Sequence, residues 1–364
     1  MRYFFFLLLA VFCFSCSKSF EERCFVNDDN KDVMTYQEQK PYTALEIVQN
    51  KPQYLQIVNL KKFRSFKKDS NDYSKNFQTY QANEKFLNDQ KILFSDFDEK
   101  LFGQFRYSSQ QISGQVSYAL GENGLGYWLL EIKNNNPRAY FLGLSYNHYY
   151  FNKVQEDLIV KNGFLQFEGS FVKIEKVPGL SGYKHFSVVE DGKLFKIKLD
   201  DIIKDSDQDG FNDIFENSFG LNPNSKDTDE DGIDDFSDHN PLFKSEKNKF
   251  TTLYEDLISQ SLGGIKENLH KMNYFFLPYK TDCDYFRKIN IEAKVLIFDT
   301  NKEKQPSYVR ITDIFDGVFS KIKRNNNNPN IFYVTDSGNA GSVIYEAEYK
   351  NGKWFFRNVG GINI

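Results

Sequence analysis

The feature that most constrains this chain is a pair of acidic segments, each twelve residues long and turning at a glycine. They occupy residues 205–216 and 227–238. Each carries aspartate at positions 1, 3, 5 and 9, glycine at position 6 and an acidic residue at position 12. Calcium takes six to eight oxygen ligands, and this spacing can place such oxygens around one point. Gly210 and Gly232 permit the sharp turn that the loop needs.

The two segments predict a full set of metal ligands. Positions 1, 3 and 5 offer carboxylates, and position 7 offers its backbone carbonyl. Position 9 commonly acts through a water, and an acid at position 12 can give both of its oxygens. We therefore expect two calcium ions, bound by Asp205, Asp207, Asp209, Phe211, Asp213, Glu216, Asp227, Asp229, Asp231, Ile233, Asp235 and Asp238.

A disordered acidic linker is the alternative interpretation of this block. Residues 201–238 hold thirteen acidic residues against Lys204 and Lys226, a net charge of −11, whereas the whole chain carries −4. An unselected acidic tract does not place glycine at position 6 twice, nor an apolar residue at position 10 of each segment. Like charges about 5 Å apart repel by about 1 kcal/mol per pair even in water, so the block should be loose without cations.

The flanking sequence differs from that of helix-loop-helix calcium sensors. Phe195, Ile197 and Leu199 alternate with charged residues before the first segment, which is a strand pattern. After that segment, residues 212–219 suit about two helical turns, and Gly220 is a good residue to end them.

Residues 227–241, DTDEDGIDDFSDHNP, resemble a thrombospondin type 3 repeat, and the linked pair resembles the bacterial, EF-hand-like versions of it. The resemblance covers only residues 205–241 of the 364. It implies calcium-wrapped structural spacers with little regular secondary structure. Asn240 stands where the animal repeats carry a disulfide cysteine, so the resemblance implies that metal alone holds this segment.

The amino terminus predicts export. An apolar run at residues 3–14 is too short to span a bilayer but suits the core of a signal peptide. The following Ser15 and Cys16 resemble the lipobox of bacterial lipoproteins, which implies that Cys16 is acylated, with palmitate or similar chains. Such chains would anchor the protein in the cell envelope, and we expect the outer membrane, facing the periplasm or the cell surface. An ordinary signal peptide cleaved nearby is the alternative.

Cysteine usage and calcium affinity agree with export. Loss of Cys13 with the signal and acylation of Cys16 leave Cys24 and Cys283. These two either form a disulfide between the mature amino terminus and the last domain or remain separate thiols. Extracellular calcium modules bind at about 10⁻⁴ to 10⁻³ M, so they fill only where calcium is millimolar.

The pattern along the chain predicts a mainly β protein with a smaller α+β part. Aromatic residues make up 17% of the chain, which excludes a disordered protein. We expect five parts in chain order. They are a signal peptide (1–15), a tether (16–40), a β-sandwich or barrel-like domain (41–200), a calcium-loop linker (201–245) and an α+β domain with one helix on an antiparallel sheet (246–364).

Local signals place individual elements. Turn dipeptides predict hairpins at Asn162-Gly163 and at Asp191-Gly192. Thr252 and Glu255 form a capping-box pattern that predicts where the carboxyl-terminal helix begins. Strand patterns lie at residues 54–58, 115–120, 127–132, 140–146, 293–298, 308–311, 331–334, 343–349 and 353–358.

Searches for catalytic signatures find none. The four histidines lack HExxH or paired spacing, and there is no nucleophile elbow, P-loop or dinucleotide fingerprint. The basic run at residues 61–68 is expected to be solvated surface, and we expect no nucleic-acid partner. The aromatic cluster at residues 146–151 is either buried core or a surface for a sugar or a partner.

We therefore expect a calcium-binding, lipid-anchored envelope protein in which the loops stiffen an interdomain junction. Its role would be structural, adhesive or ligand-binding, with an unidentified protein or glycan as ligand. The alternative is an extracytoplasmic hydrolase or glycan-processing enzyme that uses calcium for stability alone.

Overall fold

The computed structural model describes residues 20–26, 42–151, 157–175, 186–262, 269–312, 317–338 and 341–363. Strands make up 36% of it and helices 27%, so the predicted mainly β class is confirmed. The predicted signal peptide and Cys16 lie outside the described residues. Within the described ranges, no helix has both the length and the apolar character that crossing a membrane requires.

Seventeen strands are described. They are β1 (Phe25–Val26), β2 (Gln56–Asn59), β3 (Arg106–Ser113), β4 (Val116–Asn123), β5 (Gly126–Lys133), β6 (Asn136–Phe141), β7 (Tyr149–Phe151), β8 (Val160–Lys161), β9 (Phe164–Ile174), β10 (Phe186–Lys198), β11 (Phe276–Lys280), β12 (Lys294–Phe298), β13 (Val318–Phe319), β14 (Ile322–Arg324), β15 (Ile331–Gly338), β16 (Gly341–Lys350) and β17 (Lys353–Asn363).

The helices of the described residues are mostly short. They are α1 (Phe20–Cys24), α2 (Ala44–Gln49), α3 (Phe66–Lys75), α4 (Tyr80–Leu93), α5 (Ser95–Lys100), α6 (Leu199–Ile202), α7 (Asp213–Phe219), α8 (Lys249–Ser261), α9 (Asp284–Arg287) and α10 (Ser307–Thr312), with a 3₁₀ turn at Lys302–Lys304.

Two antiparallel sheets form a sandwich in the amino-terminal half. Strands β3 to β6 make a four-stranded meander, and the second sheet has the order β2-β10-β9-β7, with β8 beside β9. Side chains of both sheets, such as Leu129 and Phe167, are buried together between them. Of the two predicted architectures, the sandwich is the one observed, and both sheets have open edges within the described residues.

Strand β5 is buried on both of its faces. Tyr127 and Leu129 face the core between the two sheets, whereas Trp128 and Leu130 face a second core on the other side of the meander. Side chains alternate along a strand, so a continuous apolar run needs a cover on each face. Part of the second cover is α7, which begins inside the first acidic segment.

The second core joins three of the predicted parts of the chain. Its members from the meander pack against the helix that follows the first acidic segment and against the carboxyl-terminal part. The acidic block is therefore built into the centre of the molecule, because its apolar side chains need burial. The side chains buried in this second core are Phe211, Ile214, Phe215, Phe219 and Leu221 from the acidic block, and Tyr274, Phe276, Leu296, Phe298 and Val309 from the carboxyl-terminal part.

The carboxyl-terminal part contains a six-stranded sheet and a smaller one. The larger sheet has the order β1-β14-β15-β16-β17, with β13 beside β15, and helix α8 buries Leu253, Tyr254 and Leu257 in the core beneath it. The predicted helix and antiparallel meander are present. Two pairs are parallel instead, β1 with β14 and β11 with β12.

Four local predictions differ from the structure. Residues 61–103, within a predicted β domain, include helices α3 to α5, and α4 buries none of its residues. The dipeptide Asp191-Gly192 lies within the continuous strand β10, where the register with β9 shifts, because Asp191 bonds the Phe66 amide and Ser170 instead of closing a turn. Residues 308–311 are helical. The capping box of α8 is Asn248 with Thr251 rather than Thr252 with Glu255.

Part of the predicted tether is folded. Helix α1 and strand β1 pack into the carboxyl-terminal core, where Cys24 and Phe25 are buried. Cys24 forms a disulfide with Cys283, 259 residues away. Arg23 pairs with Asp284 beside it. Residues 20–26 are therefore an element of the last domain.

Candidate metal centre

The two acidic segments have positive φ angles at the same two positions. Position 4 has a positive φ in both, 65° at Gln208 and 61° at Glu230. The glycines at position 6 have φ of 123° at Gly210 and 99° at Gly232. These values lie where side chains are disfavoured, so each segment folds back on itself, as predicted from the glycine position.

The aspartate at position 9 closes each loop. Asp213 accepts hydrogen bonds from the amide and hydroxyl of Ser206, at 2.8 and 2.9 Å. Asp235 accepts the equivalent pair from Thr228, at 2.9 and 2.6 Å. The sequence prediction assigned these aspartates to the metal through a water. It missed the partner hydroxyls, although a hydroxyl residue at position 2 of both segments was the available signal.

Carboxylates at positions 1, 3 and 5 converge in both segments. One oxygen from each of Asp205, Asp207 and Asp209 lies within 4.8 Å of the others. The same is true of the corresponding group in the second segment, which is Asp227, Asp229 and Asp231. The structure thus brings together the six carboxylates that the spacing predicted to be the first ligands of each loop.

Backbone amides hold some of these carboxylates in place, and several carboxylate oxygens have no hydrogen-bond partner in the described part of the chain. Asp209 accepts from the amide of Phe211 at 2.7 Å, and Asp231 accepts from the amide of Ile233 at 2.9 Å. Among the described residues, the Oδ2 atoms of Asp207, Asp209 and Asp229 are buried without a hydrogen-bond partner. Buried carboxylate oxygens without partners are costly, so an oxygen-seeking cation fits this donor set.

Phe211 and Ile233 were predicted to bind through their carbonyls. The side chain of Phe211 is buried in the second core, stacked on Phe215 at 4.4 Å between ring centroids, whereas Ile233 is exposed. Their amides place position 7 beside the carboxylate of position 5 in both loops. The carbonyl ligation itself stays a prediction.

Glu216, at position 12, is the most informative residue of the site. Its side chain is 0% exposed, and neither carboxylate oxygen has a hydrogen-bond partner in the described part of the chain. It lies within 4.8 Å, oxygen to oxygen, of Asp209 and of Asp235 from the other segment. A carboxylate in this position requires either a proton or a cation.

The pKa values of this cluster are raised. Burial, followed by repulsion from Asp207 and the other aspartates, raises the pKa of Glu216 from 4.5 to about 9. Burial likewise raises the pKa of Asp209 to about 7 and those of Asp229 and Asp235 to about 6. At neutral pH a bound cation would therefore displace a proton from Glu216.

Asp238, the predicted position-12 ligand of the second segment, is only 3% exposed. Its Oδ1 accepts from the amide of Asn240 at 3.0 Å, and burial raises its pKa. The structure does not group it with Asp227, Asp229 and Asp231 as closely as those three group with one another.

Two asparagines attach the loops to the two halves of the molecule. Asn212 donates to the carbonyls of Phe141 and Ile202 and accepts from the Phe141 amide, which ties the first loop to strand β6. Asn240 donates to the carbonyls of Arg287 and Ile289 at 2.7 and 3.0 Å. The expectation that metal alone holds the second segment is wrong. Asn240 stands where the animal repeats carry a disulfide cysteine, and its hydrogen bonds attach the segment to the carboxyl-terminal part.

The loops also contact each other. The ammonium of Lys226 donates to the carbonyl of Gln208 at 2.9 Å. The rings of Phe211 and Phe236 lie 5.0 Å apart, and a Cβ on Gly210 would come within 3.0 Å of the Phe236 ring. The two segments therefore pack together as one unit and are not two independent loops.

A cavity of about 580 Å³ adjoins this unit on the α7 side. Tyr42, Tyr54 and His148 are among its lining residues, as is Asp213. His148 is 5% exposed, its Nε2 has no partner among the described residues, and burial lowers its pKa to about 4. The rest of the aromatic cluster at 146–151 is largely buried, in agreement with its interpretation as core.

Comparison with known proteins adds no relative. No family model, no curated protein and no solved structure matches the chain.

Proposed function

We propose that this protein is a calcium-binding, lipid-anchored protein of the bacterial cell envelope, in which two calcium ions stiffen the junction between the sandwich and the carboxyl-terminal part. Its role is structural, adhesive or ligand-binding at the membrane or cell surface. The observation that carries the proposal is Glu216, whose two carboxylate oxygens are buried without partners beside two further carboxylates.

The chemistry of the donors favours calcium. Every member of the three possible metal-binding groups in the described residues is a carboxylate, and hard cations prefer oxygen ligands. His239 lies next to Asp238, but its contribution is a carbonyl that accepts from the Val295 amide. Soft or nitrogen-seeking metals such as zinc lack suitable ligands in these loops.

The place of the loops in the fold favours a stabilising role. The apolar side chains of α7 fill the core under Trp128, and Asn212 and Asn240 tie the loops to opposite halves. An ion at about 100 times its dissociation constant adds about 2.7 kcal/mol to folding stability. That energy would act on the centre of the molecule rather than on a flexible linker.

The membrane anchor rests on the sequence of the amino terminus. Acylation of Cys16 would leave a linker of a few residues before α1, which begins at Phe20. Millimolar calcium outside the cytoplasm would keep weak sites filled. Metabolic labelling with an alkynyl fatty acid tests the anchor, and a Cys16→Ala variant that is labelled as well as wild type would rule it out.

Calcium binding is tested by titration calorimetry and elemental analysis of the purified chain without its signal peptide. We expect two ions per chain, and Glu216→Gln should weaken the tighter binding at least tenfold. Glu255→Gln is the matched control, because Glu255 is a partly buried acid of α8 that accepts from the Asn290 amide and belongs to none of the carboxylate groups of the loops. Absence of bound metal after soaking in millimolar calcium would refute the proposal.

The cavity beside α7 favours a second candidate function, an enzyme or small-molecule binder with structural calcium. It is lined by tyrosines, a neutral buried histidine and the carboxylates of Asp201 and Asp213. Both oxygens of Asp213 are already bonded to Lys204 and Ser206, which leaves Asp201 and His148 as the groups to test. Hydrolysis of envelope glycans that is lost in His148→Ala and retained in His270→Ala would favour this candidate.

A further inference from the structure

The acidic cluster at the centre of the site includes one residue from the second loop. A carboxylate oxygen of Asp235 lies within 4.8 Å of one from Asp209 and one from Glu216, and both of those belong to the first loop. Asp235 itself is 1% exposed. Asp213, which holds the same position in the first loop, belongs to no such group among the described residues.

Two buried carboxylates, Glu216 and Asp235, and the partly buried Asp209 meet here without an ion pair to any cationic side chain that the structure describes. No ion pair within the described ranges reaches Asp209, Glu216 or Asp235. The nearby ammonium of Lys294 is directed to backbone carbonyls, and that of Lys226 bonds the Gln208 carbonyl. Both oxygens of Glu216 are buried and have no partner there, so the cluster presents acceptors with nothing bonded to them.

The distances suit one cation shared by the three groups. Calcium–oxygen contacts measure about 2.3 to 2.6 Å, so carboxylate oxygens on opposite sides of one ion can lie nearly 5 Å apart. The bonds from Thr228 to Asp235 use one lone pair on each oxygen and hold the carboxylate in place. A further lone pair on each oxygen is free to meet a cation.

We infer that Asp235 is a ligand of the cation held by Asp209 and Glu216, so that the first calcium site is built from both loops. This inference rests on the proposed function, because it assumes that the loops bind calcium. The inference implies that the first calcium site depends on the second loop, but that the second site does not depend on the first loop. No first-loop carboxylate belongs to the group of Asp227, Asp229 and Asp231. Loss of that group's ion should leave the first site in place.

The test is calorimetric titration of Ca²⁺ into the full mature chain and three variants. Asp235→Asn keeps the shape of the side chain and can still accept from the Thr228 amide, so the loop should stay closed. We expect it to weaken both sites at least tenfold, because Asp235 is a ligand of the first site and is also position 9 of the second loop, which commonly contacts that loop's own ion through a water. Asp213→Asn, its positional equivalent, and Asp238→Asn, which removes the second loop's last acid, should each leave one site within threefold of its wild-type affinity.

Two further measurements separate a lost ligand from a damaged loop. Thr228→Val removes the hydroxyl that bonds Asp235 and retains the carboxylate, so we expect it to keep both sites within threefold. Near-ultraviolet circular dichroism at saturating calcium should be unchanged for every variant compared. If Asp235→Asn does not fold, Asp235→Ser is used in its place, since its hydroxyl can still accept from Thr228.

The titration results distinguish failure of the Asp235 assignment from failure of the proposed function. One site retained at near wild-type affinity in Asp235→Asn would overturn the assignment of Asp235, and so would loss of both sites in Asp238→Asn, because the dependence would then be general. A wild-type chain that binds no calcium would overturn the proposed function itself. Failure of the inference alone shows as two ions in wild type and one intact site in Asp235→Asn.

Discussion

The buried ammonium of Lys294 donates a hydrogen bond to the backbone carbonyl of Asp238 at 2.7 Å. It donates a second to the carbonyl of Phe236, also at 2.7 Å, and it lies within 6 Å of three aromatic ring centroids. Burial lowers its pKa to about 8. Strand β12 thus supplies a buried hydrogen-bond donor that holds the last turn of the second loop against the carboxyl-terminal part.

Replacing this lysine tests that attachment. Lys294→Met fills a similar volume but leaves two buried carbonyls without their donor, which should lower the free energy of unfolding by about 1–3 kcal/mol. Lys353→Met, at an exposed lysine beginning β17, should change it by less than about 0.5 kcal/mol. Urea unfolding at saturating calcium measures both, and equal stability of the two variants would contradict the role of Lys294.

The two loop glycines should differ in their sensitivity to alanine. Gly210→Ala and Gly232→Ala both force a side chain into positive φ, at a cost of about 1–3 kcal/mol. Only at Gly210 does the new Cβ also meet the Phe236 ring, whereas nothing lies within 4 Å of it at Gly232. We expect Gly210→Ala to have the lower melting temperature, measured by circular dichroism with calcium present. The reverse order would mean that the loops are not packed as described.

The stability of the metal-free protein should depend on pH. Because the pKa of Glu216 rises from 4.5 to about 9 and that of Asp209 from 3.8 to about 7, the folded state binds more protons than the unfolded chain between these values. The free energy of unfolding must therefore fall as pH rises from about 5 to 8, above which the lowered pKa of Lys294 acts in the opposite direction. Urea titrations in chelator at pH 5, 7 and 8 measure this fall.

Glu216→Gln provides the control for that pH dependence. It removes the most strongly raised pKa of the cluster, so the fall should become smaller across the whole window, and most completely between pH 7 and 8, while part of the fall between pH 5 and 7 persists through Asp209. Calcium should suppress the dependence in wild type, since the ion replaces the protons. A wild-type profile that is flat in chelator would show that these carboxylates are not buried together.

The disulfide should stabilise the carboxyl-terminal part. Changing both Cys24 and Cys283 to serine opens a link across 259 residues, and we expect a loss of about 2–5 kcal/mol. Asp284→Asn breaks the neighbouring ion pair with Arg23 but retains the disulfide, and should cost about 1 kcal/mol or less. Guanidinium unfolding of oxidised protein compares them. A free thiol at Cys24 or Cys283 in the unreduced wild-type chain would contradict the link.

Much of the site could be predicted from the sequence because metal loops are encoded locally. The spacing of acids and glycine within twelve residues fixed which carboxylates converge, and Asp205, Asp207 and Asp209 do so. The turn at Asn162-Gly163 was equally local, and it joins β8 to β9 as predicted. Such features depend on backbone conformation over a few residues, where side-chain chemistry is decisive.

Local signals failed where a distant partner competed with them. Asp191-Gly192 has the composition of a hairpin turn, yet Asp191 instead accepts from the amide of Phe66, 125 residues away. Residues 308–311 have a strand pattern, but Tyr308 lies in a helix and donates to the carbonyl of Leu125. In both cases a tertiary hydrogen bond or packing contact outweighed a weak local preference.

The amino-acid sequence by itself determined the positions of the two loops, the convergence of their carboxylates at positions 1, 3 and 5 and the abundance of strands, since these follow from spacing and composition. Only the tertiary structure decided that the loops lie at the centre, that Asp235 meets Glu216, and that Asn240 and Lys294 hold the second loop. The physical reason is that burial and long-range contacts depend on which faces pack together. A local pattern reveals that Phe211 needs a core, but not which strands will supply it.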